Sequence, residues 1–243
     1  MKSYPFSLAA LGAAAILAGC GGGDDPTVQL TGTAYRFNQT SVRIAVATVS
    51  VAELPGVTAV TDSKGVYTLT VPAGRAVTPY ITAPGYHTIY LQTFNTTANL
   101  VNVNFQTPDV ATYANLYLLL TSIGAGVVPD QNGCVIVTTA SDAKIQGLSF
   151  EDFVAYGAHG VAGATGTTLP TVAAPIYFNA NVVPDPSQKT TSKDGGIVWT
   201  NVPYGTYTIS ATHPNRKFAS FTANCEKGRV INANPAWGAY ELN

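Results

Sequence analysis

Charged residues are scarce in this 243-residue sequence: Asp, Glu, Lys and Arg make up 10% of it, and the net charge is −1. Without a cluster of basic residues, the sequence lacks the electrostatic footprint of a nucleic-acid-binding protein. Glutamate occurs only four times, so a glycosidase would have to build its pair of carboxylates from scattered aspartates. Nucleophile-elbow and phosphate-loop motifs are missing as well. The sequence therefore predicts no enzyme and no cofactor.

Histidine is equally rare, with three residues that do not form a recognisable metal-binding pattern. His87 and His213 lie next to predicted turns. His159 follows Glu151 and Asp152 by eight and seven residues, whereas zinc ligands normally stand closer together on a helix or hairpin. We therefore predict no metal site. A metal-dependent enzyme or metal carrier built on His159, Glu151 and Asp152 is the less favoured alternative.

Long apolar runs are few, and the clearest one, at residues 8–17, is typical of a secretion signal because it follows a basic residue and is too short to span a bilayer. Residues 17–20, Leu-Ala-Gly-Cys, resemble the bacterial lipobox, in which the cysteine is acylated and becomes the mature N-terminus. The resemblance implies that residues 1–19 are a lipoprotein signal peptide and that Cys20 carries the fatty acyl chains, palmitate among them. Several acyl chains on one residue form a firm membrane anchor.

The residues after Cys20 are rich in glycine and aspartate and lack apolar periodicity. We expect residues 20–28 to be a flexible tether between the membrane and the first folded domain. Gly21 is not the aspartate that, in bacterial lipoproteins, is linked to retention in the inner membrane. We therefore expect a lipid-anchored protein of the cell envelope, at the periplasmic or surface face of the outer membrane if the host is Gram-negative.

Cysteine is limited to three residues. If Cys20 carries lipid, Cys134 and Cys225 remain, and an even remainder in an oxidising compartment predicts one disulfide bond. Two buried free thiols are the alternative. On the chain-entropy account, closing a loop of this length would restrain the unfolded chain by about 4–5 kcal/mol.

The sequence is rich instead in β-branched and aromatic residues punctuated by turn signals, which is typical of strands. One turn-and-strand phrase occurs twice, as TDSKGVYTLTVPAG at residues 61–74 and as TSKDGGIVWTNVPYGTYTIS at residues 191–210. The two copies align at an offset of 131, which matches Gly65 with Gly196, Pro72 with Pro203 and Gly74 with Gly205. A repeat that keeps turn chemistry and hydrophobic alternation predicts a duplicated fold.

The order T-D-x-x-G-x-Y-x-L-x-V-P-x-G followed by A-P-G-Y, at residues 61–86, resembles the carboxypeptidase regulatory-like domain, a transthyretin-like sandwich of about seven strands. Residues 134–234 resemble it more loosely, with V-A-G-A-T at residues 161–165 and N-V-P-Y-G-T-Y at residues 201–207. The resemblance implies an all-β protein of two transthyretin-like or Ig-like β-sandwich domains. It implies no particular activity, because the domain is an accessory in many unrelated proteins.

We expect a short helical connector between the sandwiches. Thr107 is the predicted N-cap and Pro108 the first helical residue, with apolar residues at helical spacing as far as residue 123. A buried strand over residues 115–120 is the alternative. The predicted boundaries are a first sandwich at residues 29–106, the connector at 107–130, a second sandwich at 131–234 and a loose tail at 235–243.

Aromatic side chains near the predicted turns and in the tail are the candidate binding residues: Tyr86, Tyr204, Trp237 and Tyr240. Exposed aromatic rings can anchor a protein interface or stack on sugars, although such residues also pack turns and cores. The sequence therefore predicts a non-catalytic envelope lipoprotein that acts as a protein-binding or scaffolding module. A carbohydrate-binding surface lipoprotein is the alternative.

Overall fold

The computed structural model describes residues 26–124 and 133–243. The helices in this part are α1 (Val110–Ser122) and α2 (Phe150–Tyr156), with a 3-10 turn at Ala143–Ile145. The strands are β1 (Thr27–Arg36), β2 (Gln39–Arg43), β3 (Thr48–Val51), β4 (Thr58–Val60), β5 (Val66–Pro72), β6 (Ala76–Val77), β7 (Pro79–Thr82), β8 (Ile89–Tyr90), β9 (Phe94–Asn95), β10 (Phe105–Thr107), β11 (Cys134–Thr139), β12 (Thr165–Leu169), β13 (Ile176–Phe178), β14 (Pro184–Asp185), β15 (Gly196–Val202), β16 (Gly205–His213), β17 (Arg216–Lys217), β18 (Phe221–Cys225) and β19 (Val230–Ala233). The predicted all-β class is confirmed.

The N-terminal sandwich packs two sheets around one core. In the first sheet, β1 pairs antiparallel with β2 and β5 and parallel with β10. In the second, the order is β4-β3-β7-β8. Alternate residues of β5 point inward, which is why its sequence alternates between apolar and small polar residues. Side chains from both sheets fill the core, including Leu30, Val49, Leu69, Ile81 and Phe105.

The C-terminal sandwich has the same plan. Its β11 pairs antiparallel with β15 and parallel with β19, as β1 does with β5 and β10. Two further strands, β13 and β14, extend this sheet beyond β15. The facing sheet contains β12, β16, β17 and β18. The core between them includes Ile136, Trp199, Ile209, Phe221 and Ile231. The two-sandwich architecture predicted from the repeat is therefore confirmed.

A buried threonine marks the same place in both sandwiches. The Thr61 hydroxyl donates to the carbonyl of Ile44 (2.7 Å) and accepts a bond from the N–H of Ala47 (2.8 Å). The equivalent bonds in the second sandwich join the Thr191 hydroxyl to the carbonyl of Val161 (2.6 Å) and the N–H of Ala164 (2.8 Å). The sequences I-A-V-A-T and V-A-G-A-T that supply these groups are therefore structural equivalents.

The predicted offset of 131 is wrong for the repeated turn. In the structure Gly65 and Gly195 both close the turn with positive φ and a bond to the residue three positions earlier, so Gly65 corresponds to Gly195 and not to Gly196. The offset becomes 131 only beyond Asn201. This residue has a φ of 51° and lies where the register between β11 and β15 shifts. A β-bulge adds one residue to its strand, so Pro72 still corresponds to Pro203.

The connector is a helix, and the alternative of a strand over residues 115–120 is wrong. Its N-cap is Asp109 instead of Thr107, because the Asp109 carboxylate accepts the N–H of Thr112 (2.6 Å). This carboxylate also pairs with Arg36. The helix packs against the C-terminal sandwich in a cluster that contains Leu120, Phe178 and Val198. Residues 125–130 of the predicted connector, and the first two residues of the predicted second sandwich, lie outside the described residues.

The predicted disulfide is confirmed. Cys134 and Cys225 are bonded, with their Cα atoms 5.5 Å apart. Cys134 begins β11 and Cys225 ends β18, so the bond joins the two sheets of the C-terminal sandwich. The predicted signal peptide, the lipidation site Cys20 and most of the tether lie outside the described residues. Across the ranges that the structure describes, no helix is long and apolar enough to cross a membrane.

Candidate functional site

One continuous sheet crosses the boundary between the sandwiches. Ile231 of β19 lies opposite Tyr90 of β8, and this parallel pair fuses two sheets into nine strands in the order β14-β13-β15-β11-β19-β8-β7-β3-β4. The Tyr90 ring stacks on Tyr80 (5.1 Å between centroids), and the Arg229 guanidinium lies 4.6 Å from its centroid. Burial raises the pKa of the Tyr90 hydroxyl, while the charge of Arg229 acts in the opposite direction.

Side-chain amides of β19 and the residue after it bind the backbone of the N-terminal sandwich. Asn232 donates through Nδ2 to the carbonyl of Gln106, and Asn234 donates to the carbonyl of Asn104, both at 3.2 Å. All four residues lie where β10 approaches β19, and both asparagines are buried. Both buried Nδ2 groups thus have a carbonyl partner in the N-terminal sandwich, and a relative rotation of the sandwiches would leave these donors unpaired. The Oδ1 of Asn234 is buried without a hydrogen-bond partner among the described residues.

The C-terminal residues close the junction. The Trp237 Nε1 donates to the carbonyl of Val101 (2.9 Å), and its ring packs edge-on against Phe94 of the N-terminal core (5.3 Å between centroids). The next residue, Gly238, donates its N–H to the Gln92 side chain (2.8 Å). Tyr240 packs edge-on against Trp237. The expectation of a loose tail at residues 235–243 was wrong, because these residues link both sandwiches.

A cleft of about 420 Å³ lies beside this junction. Both sandwiches contribute to it: β1 and the turn after it on one side, β11, α2 and the turn before β15 on the other. Apolar wall residues include Phe153, Val154 and Phe178. Its hydrogen-bonding residues include Asn38, Gln106, His159, Lys193, Asp194 and Asn232. This mixture of apolar walls and a few polar groups is typical of a binding site.

His159 and Asp194 are titratable residues of the cleft, which Lys193 also lines. Burial raises the pKa of the Asp194 carboxyl, although the N–H of Gly196 (3.1 Å) and the charge of His159 act in the opposite direction. The His159 Nδ1 lies 2.7 Å from the carbonyl oxygen of Gly157. Because a carbonyl only accepts, Nδ1 is the donor in this bond. The imidazole and the carboxyl group are both available to contact a polar ligand in the cleft.

The structure separates His159 from the acidic residues that the sequence placed beside it. Asp152 accepts a bond from the Ser149 hydroxyl (2.8 Å) at the N-terminus of α2, and Glu151 lies in the first turn of that helix. The acidic neighbour of His159 is Asp194, 35 positions later in a turn. Within residues 26–124 and 133–243, no three His, Cys, Asp or Glu side chains are grouped closely enough to hold a metal ion.

The four predicted aromatic binding residues have different surroundings. Tyr204 is 52% exposed, whereas Tyr86 is partly buried against the N-terminal core. Trp237 and Tyr240 pack in the junction and do not form an open platform. None of the four lines the cleft. Apart from His159, sequence reasoning missed the cleft residues, because they come from several separate segments between residues 35 and 235.

Comparison with known proteins gives no family. No family model matches the chain, and no curated protein matches it. Among solved structures, the Bacillus anthracis TIE protein is 16% identical with a TM-score of 0.27, and the match covers 89% of this chain and 34% of that one. This chain therefore spans about a third of that protein.

Two pilins are also similar. The minor pilin GBS52 of Streptococcus agalactiae is 8% identical with a TM-score of 0.29, and the match covers 89% of this chain and 97% of that one. The shaft pilin SpaA of Lactobacillus rhamnosus GG is 14% identical with a TM-score of 0.25, covering 90% and 99%. The architecture described above rests on the strand pairing of this chain itself.

Proposed function

We propose that the chain is a non-catalytic cell-envelope lipoprotein whose two carboxypeptidase regulatory-like sandwiches form one rigid protein-binding module. Acylation of Cys20 holds the module at the membrane, the outer membrane in a Gram-negative host, and residues 20–28 let it extend from the surface. The partner is another protein of the envelope, which binds at the cleft beside the junction.

The observation that carries this proposal is the junction. Domains in one chain normally move relative to each other unless their interface is large and well packed. Here a shared sheet, two buried asparagine amides and Trp237 all cross the boundary. A fixed boundary keeps the cleft in one shape, and a pre-formed site avoids the entropic cost of ordering itself when the partner binds.

The chemistry of the cleft favours binding over catalysis. His159 and Asp194 are polar groups of the cleft, but the hydroxyl of Thr138, which also lines it, is occupied. Thr138 donates to the carbonyl of Ala233 (2.8 Å) and accepts from the N–H of Ala239 (3.3 Å). A nucleophile needs a free hydroxyl within reach of a base, and Thr138 uses its hydroxyl to position the chain between β19 and the C-terminus.

Site-specific photo-crosslinking in intact cells tests the proposal. A photo-reactive residue replaces Asn181, which is exposed on the rim of the cleft, and a matched control replaces Lys217, which is exposed on β17 of the facing sheet. We expect one envelope protein to be captured from position 181 and not from 217, and to be lost in Cys20→Ala. Equal capture at both positions would contradict a cleft-specific partner. Capture of polysaccharide alone would favour the carbohydrate-binding alternative.

A further inference from the structure

The helix α1 covers its part of the nine-stranded sheet incompletely. Its sequence, V-A-T-Y-A-N-L-Y-L-L-L-T-S, has no charged residue, yet Leu120 is its one buried residue. A helix that is apolar on all sides is normally buried. Here Leu118 is 62% exposed, and Leu116 and Tyr117, which line the space between the helix and the sheet, are only partly buried. The helix therefore leaves apolar surface without a partner on its sheet side.

The strands beneath α1 show the same incomplete packing. Strands β11 and β19 lie in the middle of the sheet, where a covering helix normally buries the side chains below it. On β11, Ile136 faces the C-terminal core and is fully buried, whereas Val135 and Val137 on the opposite face remain partly exposed. Val230 of β19 pairs with Val135, and Val198 of β15 pairs with Val137. A patch of neighbouring valines thus lies beneath the helix without being fully covered by it.

An apolar pocket of about 80 Å³ lies between the helix and these valines. No charged residue lines it, and its hydrogen-bonding side chains are Tyr113, Tyr117 and Asn232. The amide of Asn232 already donates to the carbonyl of Gln106. Protein interiors are normally close-packed. A pocket with apolar walls that is open to solvent in the described part of the chain is therefore suited to an apolar group that arrives with a ligand.

The pocket adjoins the cleft. Four residues line both of them: Phe37, Val137, Phe178 and Asn232. Both sandwiches form the pocket, as they form the cleft, because Ile89 of the N-terminal core also lines it. The cleft supplies charged and hydrogen-bonding groups, whereas the pocket supplies apolar surface. A ligand that spans their common border therefore meets a polar site and an apolar site side by side.

We propose that the partner bound in the cleft inserts one branched aliphatic side chain, leucine or isoleucine, into the pocket beneath α1. This inference rests on the proposed function, because it names the chemistry of that same partner. A single buried anchor in a pocket is typical of the residues that dominate a protein interface. Burying such a side chain contributes about 10–100-fold in affinity.

The size and polarity of the pocket select this group. A cavity of about 150 Å³ binds benzene, so the pocket of about 80 Å³ is too small for an aromatic ring or a long acyl chain. A sugar would place hydroxyl groups against the valines, where they would lose their bonds to water without gaining others. The pocket thus favours a protein partner over a polysaccharide.

Xenon tests whether the pocket is accessible in the folded protein. We expect dissolved xenon to shift the methyl NMR signals of Val135, Val137 and Val230. The signal of Val60, which is exposed on the edge strand β4 of the same sheet, should not move. Val135→Phe fills the pocket from β11 and should abolish the shifts. Unchanged valine signals in the natural protein would overturn the proposal, because the pocket would then be closed or filled by the chain itself.

Photo-crosslinking from position 181 tests the partner. Val135 lines the pocket and not the cleft, so Val135→Phe blocks the anchor without changing the cleft wall. We expect capture of the envelope protein to fall at least tenfold, while Tm stays the same or rises because filling a gap adds packing. The matched control Val60→Phe makes the same change on an exposed strand and should leave capture unchanged. If Val135→Phe overpacks the site and lowers Tm, the smaller Val135→Leu carries the comparison.

The failure of this proposal differs from the failure of the proposed function. Full capture in Val135→Phe, with the xenon shifts abolished, would overturn the anchor and leave the cleft partner in place. Equal capture from positions 181 and 217 of the natural protein, or capture of polysaccharide alone, would contradict the protein partner and the anchor together. A free fatty acid extracted from the purified protein and lost in Val135→Phe would also overturn the anchor, because the occupant would then be a lipid.

Discussion

Val46 should limit the stability of the protein. Its φ is 57°, in the left-handed region, and its side chain is 75% exposed. The equivalent residue of the second sandwich, Gly163, has φ 84° and donates the same kind of bond, to the carbonyl of Thr191 as Val46 does to that of Thr61. A β-branched residue therefore occupies a position that the repeat fills with glycine.

The size of the effect follows from two opposing terms. The left-handed conformation costs an L-residue about 1–2 kcal/mol, and glycine removes that cost. Glycine also has more conformational freedom in the unfolded chain, which lowers the free energy of unfolding by about 0.4–1 kcal/mol. Little burial is lost, because the valine side chain is mostly exposed. We expect Val46→Gly to raise the free energy of unfolding by about 0.5–1 kcal/mol and Tm by about 1–4 °C.

Urea denaturation followed by circular dichroism measures this change, with Val60→Gly as the control. Val60 is 60% exposed in the regular strand β4, so glycine there should destabilise by about 0.5–1 kcal/mol. The reverse substitution, Gly163→Val, should also destabilise. Equal losses of stability in Val46→Gly and Val60→Gly would refute the argument that backbone strain, and not side-chain packing, decides the outcome at position 46.

Three further outcomes are expected. Cys134→Ser should lower the unfolding free energy by about 4 kcal/mol, and titration of the unfolded, unreduced natural protein should find no free thiol in the pair. Trp237→Ala should cost about 2–3 kcal/mol, below the value for a fully buried tryptophan, whereas Trp237→Phe should recover most of it in the same melts. Asp194→Asn should stabilise the protein in urea melts at neutral pH: the raised carboxyl pKa means that the folded state holds its proton more tightly, so stability is lost as pH rises through that pKa. The difference in unfolding free energy between the natural protein and Asp194→Asn should shrink near pH 3. A difference that is constant at all pH values would contradict the raised pKa of Asp194.

The sequence predicted the elements whose patterns are local. Alternation in β5 predicted a strand, the spacing of apolar residues predicted α1, and the even cysteine remainder predicted the disulfide. The repeat predicted two sandwiches because turn glycines must be kept wherever positive φ is needed. The error of one residue in the alignment of the two copies came from the β-bulge at Asn201, because no residue type there indicates a bulge in the sequence.

The junction could not be predicted in this way. Trp237 and Asn234 bind backbone carbonyls, which every residue has, so their partners leave no trace in the sequence. Asp194 belongs to a turn motif in which aspartate is ordinary, and only the folded chain brings it beside His159.

The position of Trp237 has a consequence for how the protein is made. The core of the N-terminal sandwich is complete only when this residue, 136 positions after Val101, covers Phe94. A chain that is synthesised N-terminus first must therefore wait for Trp237 before its first domain is sealed. Until then that domain presents an apolar gap and an unpaired strand edge at β8, features that favour aggregation. Chaperones that hold the chain until Trp237 has been made would protect it during this interval.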